Sequence, residues 1–207
     1  MDSSEKPAIA PRRQPRQARS IERVATIRRT AAELISRQGV DGTSMSALAR
    51  ASGMSLASLY RYFPNKTAII HDIAQQHVEK LDRVLRERLE QLDFGKGLDD
   101  LIDVYAHFYR HEPGYKEIWS GVESMPELRE LDRQELDMNA REVFRHSAHL
   151  LPQVPEKRRR LASLLVPRTC GSLLRLASTL PEEEAAPLIQ ELKVMIRAYL
   201  RALSEPD

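Results

Sequence analysis

One cysteine, Cys170, is all the thiol chemistry available to this 207-residue chain, so neither an intramolecular disulfide framework nor a cysteine-rich zinc site can be assembled. That usage fits a reducing compartment, and a cytoplasmic location is expected. Aromatic residues are scarce at 5%, and no stretch shows the strict alternation of a half-buried strand. No apolar run approaches the roughly 18 residues that span a bilayer, and the opening MDSSEKPAIAPRRQPRQARS lacks the apolar centre of a secretory signal. Membrane partners are not expected. Catalytic spacings are missing too: there is no glycine-rich phosphate loop, no Gly-x-Ser-x-Gly and no His-Glu-x-x-His. Among the six histidines, His71, His77, His107, His111, His146 and His149, only His107 and His111 stand at a metal-binding i, i+4 spacing, and no third ligand accompanies them. The expectation is a chain that is not an enzyme and holds no metal or cofactor.

What is present leans towards helix. Hydrophobic residues make up 42% and charged residues 30%, with Leu, Ala, Arg and Glu abundant, and the length leaves room for a small domain joined to a larger one. An all-α fold follows. The net charge of +2 conceals a division at Lys66: 12 cations against 5 anions up to that point give +7, and 20 against 25 beyond it give −5. A basic head on an acidic body suggests a polyanionic partner for the head alone. Three stretches are expected: a basic arm over 1–19, a head over 20–66 and a helical body over 67–207. The arm carries Pro7, Pro11 and Pro15 among Arg, Gln and Ser, a composition that cannot bury enough surface to order itself. It suits either a minor-groove contact or a plain solubilising tail.

Val24, Ile27, Ala31, Leu34 and Ile35 recur at helical spacing, and Gly39 suits the left-handed position that ends a helix. Further helices are expected from Asn65 towards Leu92, from Leu98 to His111, over Tyr115 to Trp119, after Pro126 to Leu151, from Lys157 to Leu180, and from Glu182 to about Ser204.

Between Ser44 and Phe63 the residues follow the layout of a helix-turn-helix. Ser44 and Ser55 can each cap a short helix, Ala49 is small where the two helices cross, and Gly53 can take the positive φ of the tight turn. Leu48, Met54 and Leu59 would plug the pair against the first helix. If the second helix enters a major groove, Leu56, Ala57 and Ser58 lie nearest the bases, Arg61 can make a bidentate guanine contact, and Tyr60, Tyr62 and Lys66 suit phosphates. Ser44 and Ser46, with the unpaired N–H groups at their helix start, can hold another phosphate. Ala, Gly and Leu at this spacing also occur in ordinary helical hairpins. The run Leu59-Tyr60-Arg61-Tyr62-Phe63-Pro64-Asn65-Lys66 is what favours the DNA reader.

Together with Gly39, Thr43-Ser44-Met45, Leu48-Ala49 and Gly53-Met54-Ser55, that run resembles the TetR family of repressors over residues 20 to about 70. The resemblance implies an all-α body with a ligand cavity, and a homodimer formed mainly by the last two helices. Independently, two apolar stripes fit such a pairing. One holds Leu188, Leu192, Met195, Ile196, Tyr199 and Leu203; the other holds Leu161, Leu164, Leu165, Leu173, Leu176 and Leu180. Either stripe could instead be buried within its own subunit. Candidate cavity residues are the large side chains Tyr105, Phe108, Tyr109, Trp119, Met125 and Phe144, with His77, His111, His146 and Cys170 as polar contacts, although each is also a plausible core residue. The expected partners are double-stranded operator DNA, a largely hydrophobic small-molecule effector and a second copy of the chain. The alternative is a constitutive DNA-binding protein without an effector. Lys157-Arg158-Arg159-Arg160 is expected to be a solvated helix start rather than a second nucleic-acid site.

Overall fold

A computed structural model describes residues 18–90 and 96–204. The expected arm lies outside them, except that the first helix already includes Ala18 and Arg19. Among the described residues there is no strand, and the helices are α1 (Ala18–Gly42), α2 (Met45–Ala51), α3 (Leu56–Tyr60), α4 (Lys66–Leu89), α5 (Lys96–His111), α6 (Tyr115–Trp119), α7 (Pro126–Leu150), α8 (Glu156–Thr179) and α9 (Glu182–Ser204). No helix is long and apolar enough to cross a membrane among the described residues.

The chain forms two compact units. The first runs up to His77 and takes in Pro113–Arg129; the second comprises Val78–Glu112 and Glu130–Asp207. In the first, α1 buries Val24, Ile27, Ala31 and Ile35, residues three and four apart and hence on one face. Leu48 of α2, Leu59 of α3, and Phe63, Ile69 and Ile70 around the start of α4 are buried in the same unit, all 0 or 1% exposed. The short helix α6 belongs with this unit because it packs on α1. Gly114 is required there on two counts: its φ is +76°, and a Cβ would stand 3.3 Å from the carbonyl oxygen of Ala32. Its backbone N–H donates to Ser36 Oγ at 2.6 Å. Arg28 holds α1 to α4 with a fork of two hydrogen bonds to the Asp72 carboxylate.

Gly39 has positive φ as expected, but its ψ of 172° places it in a region reserved almost entirely for glycine, not in the left-handed helical well. The chain therefore kinks there and adds a last turn as far as Gly42.

The second unit is a packing of longer helices, with α8 against both α5 and α9; Arg110 near the end of α5 donates to the carbonyls of Ala177 and Leu180 at the end of α8. Two ion pairs at matching i, i+4 positions join α5 to α9, Lys193 to Asp103 at 2.6 Å and Arg197 to Asp99. The Lys193 side chain is 5% exposed, whereas Asp103 is 56% exposed. Pro167 lies inside α8 without ending it, although it has no N–H to give the Ser163 carbonyl.

Candidate DNA-reading edge and effector cavity

The reading edge is built from caps upward. Ser44 Oγ accepts from Ala47 N–H at 3.1 Å and Ser55 Oγ accepts from Ser58 N–H at 3.1 Å, so both short helices start where the serines stand. Ala49 is buried at the helix crossing, and Gly53 has φ +65° in the turn. Leu48 and Leu59 are fully buried as expected; Met54 is only half-buried.

Outward from this core stand Leu56 at 39% and Tyr60 at 38% exposure, with Ser46, Ala57 and Arg61 also exposed and Ser58 half-buried. Two of the expected contact residues sit differently. Tyr62 is 9% exposed, its ring drawn into the core beside Phe63, which limits what its hydroxyl can reach. Lys66 donates through Nζ to the Val40 carbonyl at 2.8 Å and so ties the start of α4 to the end of α1. An ammonium has three protons, so this bond leaves donors for a phosphate. Asn65 caps α4 by accepting from Ala68 N–H at 2.8 Å.

The second unit contains a cavity between α4, α5, α7 and α8, with about 120 Å³ of free space and mostly apolar walls. Of the expected ligand residues, Tyr105, Tyr109 and Cys170 line it. Tyr105 donates its hydroxyl to the Leu81 carbonyl at 3.2 Å, and burial pushes its phenol well above the ordinary range. Burial pushes the Cys170 thiol up to about 12, so the sulfur is an unreactive wall group. His77 and Trp119 lie in the first unit, where Trp119 Nε1 donates to His77 Nδ1 at 3.3 Å and the Tyr115 ring packs at a tilt against both. Their polar atoms satisfy one another in a core. Phe108, Met125, Phe144, His111 and His146 are also not among the cavity's lining residues. Phe144 instead lies under two guanidiniums, those of Arg159 and Arg160, at 5.8 and 4.6 Å from its centroid.

The cavity also has polar residues that periodicity did not single out: Glu135, Asn139, Arg159 and Arg175. Glu135 is 5% exposed, and burial raises its carboxyl from 4.5 to about 7, against the lowering pull of Arg175. A Glu on a helix otherwise rich in surface charge reads as solvated. Only the packing of α5 and α8 over α7 reveals it as buried.

Comparison with known proteins agrees with this arrangement. The family model for bacterial regulatory proteins of the tetR family matches residues 27–73, and the tetracyclin repressor-like C-terminal domain matches residues 92–203. The chain belongs to the TetR family. Its members are transcription regulators, not enzymes, and they bind DNA and small-molecule effectors as dimers. A TetR-family regulator from Streptomyces coelicolor is similar in structure with a TM-score of 0.67 and 26% identity, covering 89% of this chain and 99% of that one. A TetR-family regulator from Pectobacterium atrosepticum gives 0.70 and 19% over 94% and 100% of the two chains, a likeness of fold. The nucleoid occlusion factor SlmA of Haemophilus influenzae is 29% identical over 90 residues. That match spans 42% of this chain and 41% of the relative's length.

Proposed function

We propose that this TetR-family regulator is a ligand-responsive repressor that binds a palindromic operator as a homodimer and is released by a small molecule bound in the second unit. In this reading residues 20–66 are the reader and 67–207 the effector and dimerisation body. The observation that carries it is the pairing of serine-capped helices with an exposed edge of Leu56, Ala57, Tyr60 and Arg61 over a fully buried core. Arg61 and the edge from Leu56 to Ser58 select bases, while Tyr60, Ser44, Ser46, Ser55 and Lys66 position the backbone, and Tyr62 acts mainly through packing.

The dimer is supported by apolar surface that the single chain leaves uncovered. Leu161, Leu164, Leu165 and Leu176 on α8 are 49–52% exposed, and Val194 and Met195 on α9 are 50% and 44% exposed. The two stripes seen in the sequence are thus divided. Leu192, Ile196 and Leu203 of α9 are buried within the unit while Met195 is exposed; on α8 Leu174 and Ala177, the latter outside the expected stripe as Leu174 is, are buried, and Leu161, Leu164, Leu165 and Leu176 form a second face, with Leu173, Leu180 and Leu188 half-buried. Surface of this kind marks an interface.

Selection from a pool of random duplexes tests the reading. The wild type is expected to enrich a two-fold symmetric sequence, and Arg61→Ala to lose about 1–3 kcal/mol of discrimination at one base pair of each half-site. A protein that enriches nothing over the starting pool would sink the proposal. A constitutive DNA-binding protein would show the same enrichment, with no compound able both to raise its Tm and to release the operator.

A further inference from the structure

We infer that the cavity of the second unit takes a single-chain amphiphile with an anionic head, its carboxylate paired with Arg159 and its hydrocarbon body lying along α8. The inference rests on the effector reading given above and names the chemistry of that site.

Three observations carry it. The walls are overwhelmingly apolar, so the occupant must offer hydrocarbon along most of its length. Lining residues on α8 extend from Arg159 to Arg175, 16 residues apart and hence about 24 Å along a helix, which suits a long, narrow ligand better than a compact one. The ionisable groups at the two ends are not equally provided for. Towards Arg175, charges are matched from within: Arg175 donates to Asp132 at 2.7 Å, Arg168 lies 3.5 Å from the same carboxylate, and Glu135 has Asn139 as a hydrogen-bond partner. At the other end Arg159 lines the cavity with a buried Nε that has no hydrogen-bond partner. A buried guanidinium N–H without an acceptor is costly, and a carboxylate answers it with a charge-assisted, forked geometry.

The run Lys157-Arg158-Arg159-Arg160 gains a purpose in this arrangement. Arg160 is exposed and pairs with Glu156 at 3.1 Å, whereas Arg159 is the member that lines the cavity. The surrounding cations make this end the electropositive one, which opposes a cationic head here and favours an anionic one. A cationic amphiphile would have to seek Glu135 at the far end, where Arg175 already opposes it.

The test uses the purified full-length protein with dodecanoate, dodecanol and dodecyltrimethylammonium, each below its micelle-forming concentration, by calorimetry. Dodecanoate is expected to bind at least about tenfold more tightly than dodecanol, the order of a charge-assisted bond. Arg159→Gln should abolish that preference while leaving dodecanol affinity within about twofold, which also reports that the cavity is still folded. Arg159→Lys should retain part of the preference, and it serves as the second variant if the glutamine form does not fold. Equal binding of all three compounds would overturn the anionic assignment while leaving the effector cavity standing. So would a preference for the ammonium that disappears in Glu135→Gln. If none of the three binds, the inference fails, and a Tm rise with some other small molecule then shows that the effector reading survives it.

Discussion

The two units solve the problem of a buried polar group in opposite ways. In the first, Ser52 Oγ is buried without a partner, but the polar groups that join one helix to another are matched nearby: His77 accepts from Trp119, Gly114 donates to Ser36, and Arg28 grips Asp72. In the second, ionisable side chains are built into the wall of an apolar cavity and only partly matched, with Glu135 raised to about 7 and Arg159 keeping a buried N–H without an acceptor. The first arrangement fixes a shape. The second leaves binding energy to be realised when something enters, and that is the physical difference between a scaffold for a reading edge and a receptor for a ligand.

The largest effect that sharpens this contrast is expected in the core of the reader. Leu59→Ala removes a fully buried side chain from a short helix and should cost about 2–5 kcal/mol, read as a drop in Tm together with loss of DNA binding. Next, the ion pair between α5 and α9 should break asymmetrically. Asp103→Asn leaves Lys193 charged and buried and should cost about 3 kcal/mol, whereas Lys193→Met leaves an exposed aspartate and should be close to neutral. Equal losses in chemical denaturation would show that the pair works by attraction alone. Gly39→Ala comes third, at about 1–3 kcal/mol. Nothing lies within 4 Å of its added Cβ, so the cost is backbone strain, and no neighbouring truncation should rescue it.

The last effect is a pH dependence confined to the second unit. Glu135 titrates near 7 when folded and near 4.5 when unfolded, so the folded state holds its proton longer. Its contribution is fully present below about 4.5 and is lost as pH rises through about 7. Glu135→Gln should therefore raise Tm at pH 8 more than at pH 5. A difference that does not change with pH would show that the carboxyl is solvated.

Much of the reader was legible because its rules are local. A serine cap, a glycine with positive φ and a small residue at a crossing each act within a few residues of the chain, and Ser44, Ser55, Gly53 and Ala49 stand as the spacing predicts. The exceptions arose from contacts distant in sequence. Lys66 reaches Val40, and Tyr62 turns into the core, neither of which helical periodicity records. In the second unit the same limit cost more. Side-chain size pointed to Phe108, Trp119, Met125 and Phe144 as well as to Tyr105 and Tyr109, but of the expected residues only the two tyrosines, with Cys170, line the cavity.

By itself the sequence determined helix type and extent, the caps and turn of the reading edge, the sign of charge on each part and the family. Those properties follow from short-range periodicity, backbone preference and composition, all of which the chain carries along its length. The tertiary structure alone decided which apolar face of α8 and α9 is buried and which stays open. It also decided that α6 buttresses α1, and that Glu135 and Arg159 face a cavity instead of water. Burial is set by which helices pack over a residue, and those helices come from distant parts of the chain.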